Sequence, residues 1–228
     1  MLADLLERHQ HEFQPVLPVD LSAPDVARLD FTAANPLVQS ADLRDTAAFE
    51  ELVAQLLAAH DAHIGVGGYL ENRVIYRRSP GLFGEAAEPA RSLHLGVDVW
   101  LRAGTPVLAP LAAVVHSAHD NAGFGDYGPT VILRHELEGT AFYTLYGHLT
   151  RRETALLRPG MEVEAGQQFA EVGPPPENGD WPPHLHFQVI ADLQGRTHDF
   201  PGVAVPAERD HWAALCPDPN LVLQSRWL

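Results

Sequence analysis

The tightest constraint on this chain is the strict alternation from His184 to Val189. Leu185, Phe187 and Val189 fall on one side and His184, His186 and Gln188 on the other, which is the two-residue period of a β-strand. An apolar strand face needs a core against it, so the chain has to build a sheet here. The other face carries two histidines side by side. That pattern suits a shared metal ion or a proton-transfer pair, against the plainer reading of a half-exposed strand with a polar outer face.

A second alternating stretch runs from His94 to Trp100. Leu95, Val97 and Val99 form its apolar set; His94, Gly96, Asp98 and Trp100 form the other. His94 and Asp98 therefore share a face, with Gly96 between them leaving room for an ion or ligand against the backbone. A helix also brings residues four apart together, but the glycine and the β-branched valines favour a strand. The two stretches jointly offer a His, Asp, His set with one more histidine beside it. Three protein ligands of this kind suit zinc and leave a fourth position for water, as in catalytic rather than structural sites. The run from Phe142 to Leu149 ends in His148, a further acid–base candidate.

The remaining pattern is of short strands between turn signals. Segments 107–110, 113–118, 130–135, 140–149, 159–163 and 164–173 read as strands, with a hairpin turn at Glu138-Gly139 and loops at 85–89, 120–128 and 174–183. This predicts a mainly β sandwich or barrel. Before it, Phe49, Leu52, Val53, Leu56 and Leu57 recur at helical steps, predicting a packing helix within 42–63 capped by Asp45 or Thr46. The Gly-rich stretch 64–70 lacks the lysine of a phosphate loop and reads as a flexible link. Residues 73–77 alternate like an edge strand, and 211–215 suggest a short helix near the end.

The net charge of −15 argues against a nucleic-acid surface and against non-specific binding to anionic membranes. The single cysteine, Cys216, excludes an internal disulfide and a cysteine zinc knuckle. The N-terminus carries no basic and apolar leader pattern and no stretch approaches a membrane span, so the expectation is a cytoplasmic protein. His60, His63, His135, His198 and His211 read as surface residues; His116 and His119 border the 120–128 loop and are candidates for lining a cleft.

His94-x-x-x-Asp98, then Tyr146-Gly147-His148-Leu149, then His184-x-His186 after Pro183 follow in an order that resembles the lysostaphin/LytM-type zinc endopeptidases. The resemblance runs from about Tyr69 to Pro219. It divides the chain into an extension over 1–68, helical and irregular, and a LytM-like domain over 69–228. It implies a barrel-sandwich hybrid, the duplicated hybrid motif, which the phrases at 104–107 and 160–166 also resemble. It further implies one zinc ion per chain on His94, Asp98 and His186, with His148 and His184 as the catalytic histidines. Which of these two is the general base stays open. The implied activity is hydrolysis of a peptide or amide bond, with a peptide or peptidoglycan-like substrate. Trp181, Tyr146 and Tyr127 are the candidate substrate contacts; Trp181 serves equally as a cleft wall, a stacking surface or a packing residue. Two departures from the family pattern stand out: Gln188 where many relatives have Glu, and Trp181 in a loop where relatives commonly have small residues.

Two other readings remain. One is a non-catalytic LytM-like regulatory or binding module, of which the known examples have lost metal ligands. The other is a histidine phosphocarrier on a related hybrid fold, which has no need of Asp98.

Overall fold

The computed structural model describes residues 1–84 and 90–228. The loop expected at 85–89 lies outside the described residues. The strands are β1 (Val26–Leu29), β2 (Ile64–Gly67), β3 (Leu93–His94), β4 (Val97–Trp100), β5 (Pro106–Leu108), β6 (Ala113–Asn121), β7 (Gly128–Leu137), β8 (Thr140–Gly147), β9 (Glu162–Val163), β10 (Gln168–Glu171), β11 (His184–Ile190) and β12 (Val203–Ala204). The helices are α1 (Leu2–Arg8), α2 (Pro36–Ser40), α3 (Thr46–Ala58), α4 (Pro80–Phe83), α5 (Arg151–Thr154), α6 (Arg209–Leu215) and α7 (Asn220–Leu223).

The chain is mainly β, as the alternation requires. An eight-stranded open sheet has the order β1-β2-β4-β11-β8-β7-β6-β9, with β5 and β10 forming one small pair and β3 and β12 another. All neighbours in the large sheet are antiparallel except β1 and β2. At the β7–β8 turn Glu138 and Gly139 both have positive φ, the conformation a two-residue hairpin with the natural strand twist demands.

Strand β11 lies centrally and is buried along its whole length. Leu185, Phe187 and Val189 join the largest core cluster with Val97, Val99, Val131 and Leu133. The opposite face is covered along part of its length by the C-terminal segment, where Leu145, Ile190, Phe200 and Trp212 pack together. Both faces of β11 are thus closed, and the polar face is not a solvated one.

Helix α3 forms where the periodicity places it. The Asp45 side chain caps it by accepting from the Ala48 N–H (3.1 Å), and Phe49, Leu52, Val53 and Leu56 are buried against Phe31, Trp100 and Trp181. Helix α6 also appears near its expected place. Among the described residues no helix is long and apolar enough to cross a membrane.

Two expectations fail. The stretch 64–70 is not a flexible link: it contains β2, hydrogen-bonded between β1 and β4. Its glycines serve close packing, since a Cβ at Gly65 would run into the Leu29 side chain. Strands β1 and β2 thus belong to the main sheet. Residues 73–77 are not an edge strand but lead into a 3-10 turn over Ile75–Arg78. Arg73, Val74, Ile75 and Tyr76 are all buried, so burial does not follow the two-residue period of a strand here.

Candidate metal centre and cleft

The register of the sheet assembles the site. Asp98 on β4 lies directly opposite His186 on β11; Gly67 flanks Asp98 on β2 and Gly147 flanks His186 on β8. The row across four strands therefore reads Gly67, Asp98, His186, Gly147, two functional side chains between two empty positions. His184 sits opposite Trp100 in the next row and stacks on its ring (4.1 Å between centroids). The β3–β4 run breaks at residues 95–96, yet His94 still reaches Asp98. Gly96 makes this possible: a Cβ there would lie 2.7 Å from His186 Cε1 and from the Phe187 carbonyl oxygen.

His94 Nε2, Asp98 Oδ1 and His186 Nδ1 converge. The separations are 3.0 Å between the two nitrogens, 3.0 Å from His186 to Asp98 and 3.3 Å from His94 to Asp98. The outer nitrogens decide the protonation. His94 Nδ1 donates to the Gly68 carbonyl (3.1 Å), so in the neutral ring Nε2 carries a lone pair. His186 Nε2 donates to Gln188 Oε1 (3.1 Å), so its Nδ1 carries one too. Gln188 is held in that orientation because its Nε2 donates to the Pro201 carbonyl (3.1 Å) and to Cys216 Sγ (3.3 Å). Gln188, in a position where a carboxylate was expected, thus supplies the needed acceptor without a charge.

Three lone pairs facing one another in a buried space form a donor set of the kind that can hold a metal ion. The spacing also fits: bonds of ~2.0–2.1 Å to a tetrahedral ion put neighbouring ligand atoms roughly 3.3–3.4 Å apart. These three residues are the group among the described residues whose atoms lie close enough to hold a metal ion.

Two more imidazoles stand beside this set. His148 has a left-handed backbone (φ 62°), which turns its side chain back over the end of β8. Its Nδ1 donates to the Asn178 carbonyl (2.8 Å). His184 Nδ1 donates to the Pro182 carbonyl (2.7 Å). Both keep Nε2 free, their rings are 4.2 Å apart, and His184 Nε2 is 4.0 Å from Asp98 Oδ1. Burial pushes His184 and His94 down to about 4, and burial followed by the neighbouring His184 and His186 pushes His148 well down. Burial opposes ionisation of Asp98, but His94, Arg73 and His184 outweigh it and hold the carboxyl well below its ordinary value.

The cluster forms the floor of a cavity of about 170 Å³. Its walls are largely apolar, from Tyr76, Phe83, Trp181, Phe200 and Val203, with Arg91, Asp126 and Asp199 adding charge. Tyr127 lines it, with its ring edge-on to His186 (5.2 Å) and its hydroxyl donating to the Phe200 carbonyl (3.2 Å). Trp181 both lines and packs: it is 3 % exposed, lies edge-on to Phe49 and carries the Arg78 guanidinium over its ring (4.5 Å).

The structure corrects the expectation for Tyr146. It faces the core beside Phe169 and Phe187 with no exposed surface, so it cannot touch a substrate in this cleft. The strand alternation puts Tyr146 and His186 on opposite faces. His116 and His119 lie outside the cleft lining; His119 instead stacks on His198 (4.9 Å). His135 is not a surface residue: it is 1 % exposed and bonded to Thr144 Oγ1 (2.7 Å). Sequence reasoning missed Glu71, Arg73 and Gly68 around the ligands. The available signal was a Glu and an Arg two apart just behind a Gly-rich stretch, charges without an obvious solvent-facing element.

Fold and site together define a mainly β protein with a buried His, Asp, His donor set opening onto a cleft. Comparison with known proteins narrows that class: residues 92–199, just under half of the chain, match the model of Peptidase family M23. The chain is 34% identical over 98 residues to a lipoprotein NlpD/LppB homolog of Pseudomonas aeruginosa, covering 43% of this chain and 29% of that one. It is 31% identical over 112 residues to an L-Ala–D-Glu endopeptidase of Bacillus subtilis, covering 47% and 32%. The chain thus spans about a third or less of the length of these curated relatives. Among solved structures, it is similar to the catalytic domain of lysostaphin from Staphylococcus simulans (25% identity, 59% of this chain, 81% of that chain, TM-score 0.38). It is also similar to a zinc containing peptidase from Vibrio cholerae (24% identity, 46% and 29%, TM-score 0.35).

Proposed function

We propose that this protein is a zinc-dependent metalloendopeptidase that hydrolyses a peptide or amide bond. The observation that carries the reading is the convergence of three metal-ligand atoms beside two histidines with free Nε2. His94 Nε2, Asp98 Oδ1 and His186 Nδ1 would hold one ion. When bound, the ion supplies a Lewis acid that acidifies water to a pKa of roughly 7 and polarises a carbonyl.

The chain's own residues do the rest. His148 and His184 have committed their Nδ1 protons to backbone carbonyls, so each presents a basic Nε2 to the cleft. Their lowered basicity keeps both neutral near pH 7, ready to take a proton from the attacking water and return it to the leaving amine. Asp98, 4.0 Å from His184 Nε2, favours the imidazolium when it forms. Trp181 and Tyr127 restrict access of bulk water to this pair. A chain that served only as a regulatory module would have no use for two such pre-aligned bases, and a phosphocarrier would have none for Asp98.

The relatives point to the substrate class: one is named for cleaving an L-Ala–D-Glu bond, so a peptidoglycan stem peptide is the proposed substrate. Elemental mass spectrometry of protein purified without added metal should find about one zinc per chain. Such protein should cleave stem-peptide substrates and lose that activity on chelation. Stoichiometric zinc without cleavage of any peptide or amide would sink the enzyme reading; no zinc, with none taken up on titration, would sink the metal reading.

A further inference from the structure

Asp98 uses its two oxygens differently. Oδ1 faces the ligand nitrogens, whereas Oδ2 accepts a short hydrogen bond from Arg73 Nη1. Arg73 is in turn gripped from behind: its Nε donates to Glu71 Oε2 (2.8 Å). The Arg73 side chain has no exposed surface, and those of Glu71 and Asp98 are 6% and 5% exposed. Phe31 lies under the guanidinium, 5.5 Å from ring centroid to Cζ.

The slot for this guanidinium is a glycine. Gly67 is the register partner of Asp98, and a Cβ there would collide with Arg73 Nη2. That nitrogen is buried without a hydrogen-bond partner, as is Trp100 Nε1 nearby. Leaving a buried donor unpaired costs on the order of 1–3 kcal/mol. The arrangement therefore does not maximise the hydrogen bonds of Arg73; it maximises its hold on one oxygen of Asp98.

We propose that Arg73, clamped by Glu71 and admitted by Gly67, is a positioning residue that makes Asp98 a one-oxygen ligand. A carboxylate with both oxygens free can close on a cation with both. One whose Oδ2 is engaged by a guanidinium offers Oδ1 alone. The centre then keeps four-coordination and an open place for water, which two-oxygen binding would crowd. Gly67-Gly68-Tyr69-Leu70-Glu71-Asn72-Arg73 is thereby the frame of the metal centre: Gly68 orients His94, and Glu71 and Arg73 orient Asp98. This inference rests on the metal reading proposed above.

The test is to load this chain with cobalt(II) and read its visible d–d bands, which are intense for four-coordinate ions and weaken as coordination rises. Wild type should show the intense pattern. Arg73→Met should lower the band intensity about twofold as Asp98 gains a second bond, and weaken zinc binding about 10- to 100-fold. Arg73→Lys, able to hold only one of the two carboxylates, should fall between. Gly67→Ala keeps every charge but displaces the guanidinium, so it should reproduce the spectral loss even where Arg73→Met fails to fold. Folded variants with wild-type spectra and wild-type zinc affinity would overturn the proposal while leaving the metal reading intact. A wild type that takes up neither cobalt nor zinc would remove both.

Discussion

The chain buries histidines in two places, and the contrast between them separates chemistry from architecture. His135, on β7, and His184, on β11, are both almost fully buried, and burial pushes both down to about 4. His135 spends both nitrogens internally, Nδ1 on the Ala112 carbonyl (3.2 Å) and Nε2 on Thr144 Oγ1, with its ring stacked on Phe142. Among the described residues no carboxylate bonds to it. In the cleft, each imidazole spends one nitrogen on a fixed acceptor and aims the other at a common space near Asp98. Depressed basicity is therefore no mark of function here. The uncommitted nitrogen is.

The largest expected effect tests the cleft half of this contrast. Asp98→Asn should remove stoichiometric zinc and bring turnover to background, because the one anionic ligand is lost; retained zinc at one per chain would break the assignment. Next, His148→Ala and His184→Ala should each lower kcat by about 10²- to 10⁴-fold while zinc content stays at wild-type level. A loss of zinc in either would move that residue from proton transfer to the ligand set. Gln188→Leu takes away the acceptor for His186 Nε2 and should weaken zinc binding about 10- to 100-fold, measured by competition with a chelating dye.

On the other side of the contrast, His135→Phe should leave zinc content and turnover unchanged and cost about 1–3 kcal/mol in urea unfolding, through the lost bonds to the Ala112 carbonyl and Thr144 Oγ1. Altered turnover in a normally folded variant would erase the distinction.

A last expected effect is a pH dependence common to both sites. His94, His135 and His184 have folded values of about 4 against an ordinary 6.5. Between these values the unfolded chain binds protons that the folded, metal-free chain does not. Stability should thus be full above pH 6.5 and fall as the pH drops toward 4, and His148 and Asp98, both held well below their ordinary values, should carry the fall lower still. Urea midpoints of the metal-free protein that rise on acidification would contradict this, and His135→Phe should make the fall shallower without abolishing it.

Much of the site was legible in the sequence because strands have a two-residue period. Alternation alone puts His184 and His186 on one face, and it pairs His94 with Asp98 even though the strand run breaks at residues 95–96 between them. The same rule, applied to Tyr146 and His148, would have placed Tyr146 correctly only with knowledge of which face was the core; both faces of this sheet are covered. The glycines of 64–68 misled for a related reason. A glycine in sequence signals either freedom or crowding, and only the neighbours, Leu29 and Arg73, show that here it is crowding.

By itself, then, the sequence determined the mainly β fold, the helix capped at Asp45 or Thr46, and the identity and order of the histidine and aspartate residues proposed for the centre. These follow from periodicity and local chemistry, which act over a few residues. Tertiary structure decided which nitrogen of each imidazole is free, that Gln188 rather than a carboxylate steadies His186, and that Glu71 and Arg73 stand behind Asp98. Those outcomes depend on strand register, with β2, β4, β11 and β8 meeting in one row, and register is set by the whole sheet packing at once.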